Sequence, residues 1–270
     1  MARPHRHFCI GLVASLVAIA ATLSFAARAA DYTDIWWAGP AENGWGVNLV
    51  QNEDVVFATF YIYDISKQPT WYSSPMFVGA SGIYSGTLFA TTGPWFGGPW
   101  MGSAVATPAG TSVFTPTSAT TGTLTYTINN VDGVGSIVVS KSIQRSTFRT
   151  ITIGGGYAGT GLITWSGCVD SANNGTTLYD IDPLVTQSGD YLHIDFVYSA
   201  ASIACTMSGV AVQEGQLFRI SSATYTCPTG TNTTATLYEV KATALGIEGR
   251  WTAKIGGGCQ EDGRFAALLR

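Results

Sequence analysis

Turn-forming residues punctuate the chain every ~8–14 positions, and the stretches between them are short runs rich in β-branched and aromatic residues. Beyond the N-terminal segment no helical apolar periodicity lasts as long as ~10 residues. This pattern predicts an all-β protein. Strands are expected near 44–51, 54–63, 69–78, 82–90, 101–107, 111–116, 121–130 and 134–143, and again near 158–167, 176–182, 190–198, 203–212, 216–227, 233–242, 246–255 and 263–269. The run Gly154-Gly155-Gly156 interrupts the pattern and divides it into two antiparallel meander domains, 31–150 and 155–270. Each holds about eight strands. Closing each meander into a small barrel, or nearly so, removes its unpaired edges; two sandwiches, or one sheet shared by both halves, also satisfy the pattern.

Alternation assigns faces. In "LGIEGRWTAKI", Leu245, Ile247, Trp251, Ala253 and Ile255 share one face and Glu248, Arg250, Thr252 and Lys254 the other, as in a half-buried strand. In "DVVFATFYIYD", both the Val55, Phe57, Tyr61 face and the Val56, Ala58, Phe60, Ile62 face are apolar. Such a strand implies an outer layer, from the second domain or a partner.

Residues 1–30 combine Arg3 and Arg6, an apolar run from Phe8 to Ala21 and a small-x-small Ala27-Arg28-Ala29, the layout of a cleaved secretory signal peptide. The run is too short for a membrane anchor, no later segment has the apolar length of a span, and Cys9 lacks the context of a lipoprotein cysteine. The mature chain is expected to be secreted or periplasmic and bacterial. It carries 10 Lys+Arg against 17 Asp+Glu, a formal −7, which disfavours nucleic acid and anionic lipid as partners. Four cysteines remain after cleavage. In an oxidising compartment they predict two disulfides, with Cys168–Cys259 and Cys205–Cys227 favoured among three pairings. No CxxC pair exists and His193 is the only remaining histidine, so no metal and no cofactor are expected.

Catalytic constellations are thin. His193 and Asp195 lie two apart on one face, opposite Leu192, Ile194 and Phe196, which places the pair on the solvent side, and no GxSxG elbow is present. Asp180 with Asp182, and Glu261 with Asp262, could be read as glycosidase carboxylates, but Pro183 at a strand end and an Asp262-Gly263 turn account for them structurally. Asp170, Asn174 and Gly175 fit part of an EF-hand loop, which Ala172 and Ile181 then break, so Asn174-Gly175 reads as a hairpin turn.

The aromatics carry the remaining signal. Trp36, Trp37, Trp45, Trp71, Tyr72, Trp95 and Trp100 crowd the first half, and "TTGPWFGGPWMG" sets Trp95, Phe96 and Trp100 on a Gly/Pro-rich loop. Two readings stand: rings that plug a barrel, or rings that stack on a ligand. The strand residues Trp45 and Trp71 are assigned to the core; Trp95, Phe96, Trp100, Trp36, Trp37 and Tyr72 are the candidates for ligand contact.

The segments "WWAGPAENGWGVNL", "VVFATFYIYD" and "QPTWY" resemble a Trp/Gly-rich module of exported proteobacterial proteins, over about residues 32–148. Gly39 is an addition before Pro40, and Phe60 stands where tryptophan is common. The segment "GIEGRWTAKIGGGCQEDGRFAALL" is similar to a C-terminal module of such proteins. The resemblance implies export and an accessory role, and assigns no catalytic residue; Glu42, Asn43 and Asn48 lie in its motif, where Asn43-Gly44 suits a tight turn and Glu42 a backbone cap. The expected protein is non-catalytic and binds an extracellular glycan or cell-envelope polymer through exposed aromatics. Alternatives are a barrel carrying a small apolar ligand in its lumen and a structural or adhesive envelope protein. The sequence leaves the oligomeric state open.

Overall fold

The computed structural model describes residues 30–99, 101–130, 133, 135–148, 151–200 and 202–270. Residues 1–29 of the expected signal peptide 1–30 and the candidate Trp100 lie outside the described residues. Strands β1 (Asp34–Trp37), β2 (Gly46–Asn52), β3 (Val55–Tyr63), β4 (Pro69–Val78), β5 (Tyr84–Thr92), β6 (Val105–Pro116), β7 (Thr121–Ile128) and β8 (Ile137–Arg145) run in order round a closed antiparallel barrel. The seam is short: Trp36 pairs with Arg145 and Trp37 with Gln144.

The second half contains β9 (Gly155–Ser166), β10 (Gly175–Ser188), β11 (Tyr191–Tyr198), β12 (Ile203–Val210), β13 (Val212–Glu214), β14 (Leu217–Thr226), β15 (Asn232–Ala242), β16 (Gly246–Lys254) and β17 (Gln260–Leu269). The order β12-β11-β10-β9-β17-β16-β15-β14 closes through pairing of Thr206, Met207 and Ser208 with Thr226, Tyr225 and Thr224. This is a second eight-stranded barrel, and β13 is a short ribbon on β14. Cys168 is bonded to Cys259 and Cys205 to Cys227, tying chain segments 91 and 22 residues apart.

Several local expectations change. Turn punctuation gives no sign of the four-residue strand β1, and the two strands expected near 101–107 and 111–116 are the single β6. Its "TPAG" is a bulge rather than a turn: Leu88 pairs with Gly110 but Phe89 with Pro108, so Ala109 is the extra residue. Pro183 does not end a strand either. It pairs with Phe196 on one side and falls in a gap of the β9–β10 ladder on the other, where its missing N–H costs no bond. Asp262-Gly263 lies inside β17 and makes no turn. Leu245 precedes β16 and is exposed, leaving the buried face to Ile247, Trp251 and Ala253.

Both lumens are filled. Trp36, Leu49, Phe60, Met76, Tyr84 and Phe114 are almost wholly buried in the first. In the second, large rings occupy space vacated by glycines on neighbouring strands: Trp251 pairs with Gly263, and Phe265 with Gly249 and Gly161. A Cβ placed on Gly263 would sit 2.1 Å from the Trp251 ring. The interior cores are hydrophobic and the outer faces mixed.

The chain enters the first barrel at β1 and leaves it after β8 at one end, called here the near end; by antiparallel order the connections 38–45, 64–68, 93–104 and 129–136 all lie at the far end. The second barrel meets the near end. Thr120 Oγ1 donates to Glu214 Oε2 at 2.6 Å, Gly215 N donates to Thr147 Oγ1 at 3.0 Å, and Gly215 lies against Arg145.

Candidate functional site

The inner face of β3 is the expected one, Val56, Ala58, Phe60 and Ile62, all buried. Its outer face is not covered. The second barrel docks on the near end and leaves Phe57 and Tyr61 45 % and 54 % exposed. The register extends this face across three strands: Val50, Phe57 and Pro75 form one row, Asn48, Thr59 and Ser73 the next, and Gly46, Tyr61 and Trp71 the third. Two apolar rows therefore flank a polar one. Four residues of strand, ~13 Å, separate Phe57 from Tyr61.

Trp71, expected in the core, is turned outward by alternation along β4, 47 % exposed, and Tyr72 points inward. Trp45 is partly buried and packs against the first core, in keeping with its assignment. Tyr72 packs partly against the same core, and it and Glu42 are near enough to Tyr126 to act on it electrostatically; burial first, then these neighbours, pushes the Tyr126 hydroxyl above its ordinary range. Glu42 is not a backbone cap. Its carboxylate accepts from Lys141 Nζ at 2.7 Å and from the Trp45 indole at 3.3 Å, and the Lys141 bond holds its pKa below the usual value.

The candidates separate clearly. Trp95 and Phe96 are 74 % and 89 % exposed on the far-end loop 93–104. The backbone of Gly97 and Gly98 lies beneath the Trp95 ring, since a Cβ on Gly97 would approach it to 2.4 Å. One ring face is thus held and the other left open. Trp36, a candidate for ligand contact, is instead a core residue: it is wholly buried, donates to Tyr32 O at 2.9 Å, packs edge-on to Phe114 and lies under the Arg145 guanidinium. Trp37 is half-buried, and its indole N–H is buried with no hydrogen-bond partner among the described residues. The sequence marks the outward face of β3 as apolar, but not that Trp71 of β4 extends it, because a Trp in a strand reads equally well as core.

His193 and Asp195 lie on the outer wall of β11, their side chains 3.2 Å apart, with Thr206 donating to Asp195 at 2.8 Å. Ser208 faces His193 across β12, but no hydrogen bond joins them among the described residues. Glu261 is buried in the second barrel and accepts from the indoles of Trp251 and Trp165 at 2.8 and 2.9 Å. Asp262 points outward and accepts from Thr252; the two carboxylates face opposite sides of one strand and form no catalytic pair. Asp170 and Asn174 accept from the backbone N–H groups of Ala172 and Cys168, so both serve the local turn. The two disulfides are suited to an oxidising compartment. Among the described residues no helix is long and apolar enough to cross a membrane. No protein-family model matches this chain, and neither does any curated protein.

Proposed function

We propose that the chain is an exported, non-catalytic binding protein whose first barrel holds an extended glycan or related cell-envelope polymer on its outer wall and far-end loop. The observation that carries this reading is the uncovered Phe57, Tyr61 and Trp71 face, with Asn48, Thr59 and Ser73 running between its rings. Rings at that separation stack on sugar units about two to three apart along an extended polymer, while the polar row bonds the hydroxyls of the units between them. Trp95 and Phe96, displayed at the end where Tyr61 and Trp71 lie, extend the surface. The signal-like N-terminus, the disulfides and the resemblance of residues 32–148 to an accessory module of exported proteins support the same role.

The test is affinity electrophoresis of the mature protein in gels cast with individual neutral polysaccharides, comparing wild type with Trp71→Ala and Tyr61→Ala, both exposed and remote from the core. Retardation by at least one polymer, weakened in each variant by about 0.5–1.5 kcal/mol, supports the reading. Equal retardation of wild type and both variants overturns it.

A further inference from the structure

A cleft of about 650 Å³ lies between the near end of the first barrel and the outer wall of the second. Its size is that of a small-molecule site. Across its floor, four strands place one side chain each in a single register row: Arg250 on β16 opposite Arg264 on β17, Arg264 opposite Leu162 on β9, and Leu162 opposite Leu178 on β10. All four line the cleft. The row passes from two guanidinium groups to two apolar side chains, and Leu178 is largely exposed.

The charges around the cleft pair off unevenly. Arg145 is bonded to Asp34, Arg250 lies 3.4 Å from Glu239, and Lys241 faces Glu248 across the β15–β16 ladder and lies near Asp31. Arg264 has no ion-pair or hydrogen-bond partner among the described residues. Like charges directly opposite on neighbouring strands repel, and a bridging anion removes that cost.

The geometry points to a second binding site, independent of the aromatic wall, that takes an aliphatic carboxylate with its head group on Arg264 and Arg250 and its chain over Leu162 and Leu178. Two strand spacings separate Arg264 from Leu178, roughly 9–10 Å, which matches a medium-length chain lying across the strands. A carboxylate suits the forked guanidinium donors, and the leucines reward the methylenes.

The probe is sodium octanoate, titrated calorimetrically into the whole mature protein, with sodium butyrate and 1-octanol as comparisons. The expected result is saturable one-to-one binding of octanoate, weaker binding of butyrate and none of octanol. Arg264→Gln lowers octanoate affinity at least about tenfold. Leu178→Ser narrows the gap between octanoate and butyrate, and Trp71→Ala changes nothing. Absence of saturable octanoate binding, equal binding of octanol, or an unchanged affinity in Arg264→Gln protein with wild-type circular dichroism overturns the proposal.

Discussion

Arg145 and Asp34 form a 3.0 Å ion pair whose side chains are 4 % and 9 % exposed, at the seam where β1 and β8 close the first barrel. The same guanidinium donates to the carbonyls of Asp31, Thr33 and Ala119 and lies over Trp36. Removing it strands a buried carboxylate and three carbonyl acceptors at once. Arg145→Ala is expected to lower unfolding free energy by about 3–5 kcal/mol, read as a fall in the urea midpoint. Joint replacement of Arg145 and Asp34 by leucine is expected to cost less than Arg145→Ala, because no lone charge remains.

Trp251 occupies the volume that a side chain at position 263 would need. Gly263→Ala is expected to destabilise the second barrel by about 1–3 kcal/mol through overpacking, seen as a lower melting temperature and altered tryptophan fluorescence. Gly156→Ala in β9, where a Cβ meets nothing within 4 Å, is the matched control and is expected to be near neutral.

Glu261 satisfies two indole donors from inside the second barrel. Glu261→Ala orphans both and is expected to cost about 1–3 kcal/mol for each donor that stays buried. Glu261→Gln keeps an acceptor oxygen and should lose less. Near-ultraviolet circular dichroism reports Trp165 and Trp251 directly, and equal losses in the two variants would rule out the hydrogen bonds as the cause.

Tyr198 and Tyr225 are buried in the same barrel, and burial first, then the Glu261 charge, raises both hydroxyls above their ordinary value of 10.0. The folded state therefore keeps protons that the unfolded chain releases above pH 10. The stability these phenols contribute is complete below that pH and is lost as pH rises beyond it. Denaturant midpoints are expected to hold steady up to about pH 10 and then fall, and the fall should be shallower in Tyr225→Phe.

Most of the strand framework was legible because period-two alternation and turn residues are local signals. The inner face of β3 follows from it residue by residue, and that of β16 at Ile247, Trp251 and Ala253. What escaped depended on partners distant in sequence. The four residues of β1 are a strand only because β2 and β8 flank them, and Pro108 and Pro183 read as stops because their unpaired sides lie on neighbouring strands. The same limit governed the site. Exposure of Trp95 and Phe96 followed from their Gly/Pro-rich setting, whereas Trp36 and Trp71 exchanged roles once the barrel fixed which way each pointed.

The first barrel is entered and left at one pole, with the joining chain and the second barrel gathered there. Among the described residues the opposite pole holds no chain end, and the connections 64–68 and 93–104 there can lengthen or change sequence without altering the seam. The barrel is thus a socket with an interchangeable face, whose loops can vary while its attachment to the rest of the molecule stays the same.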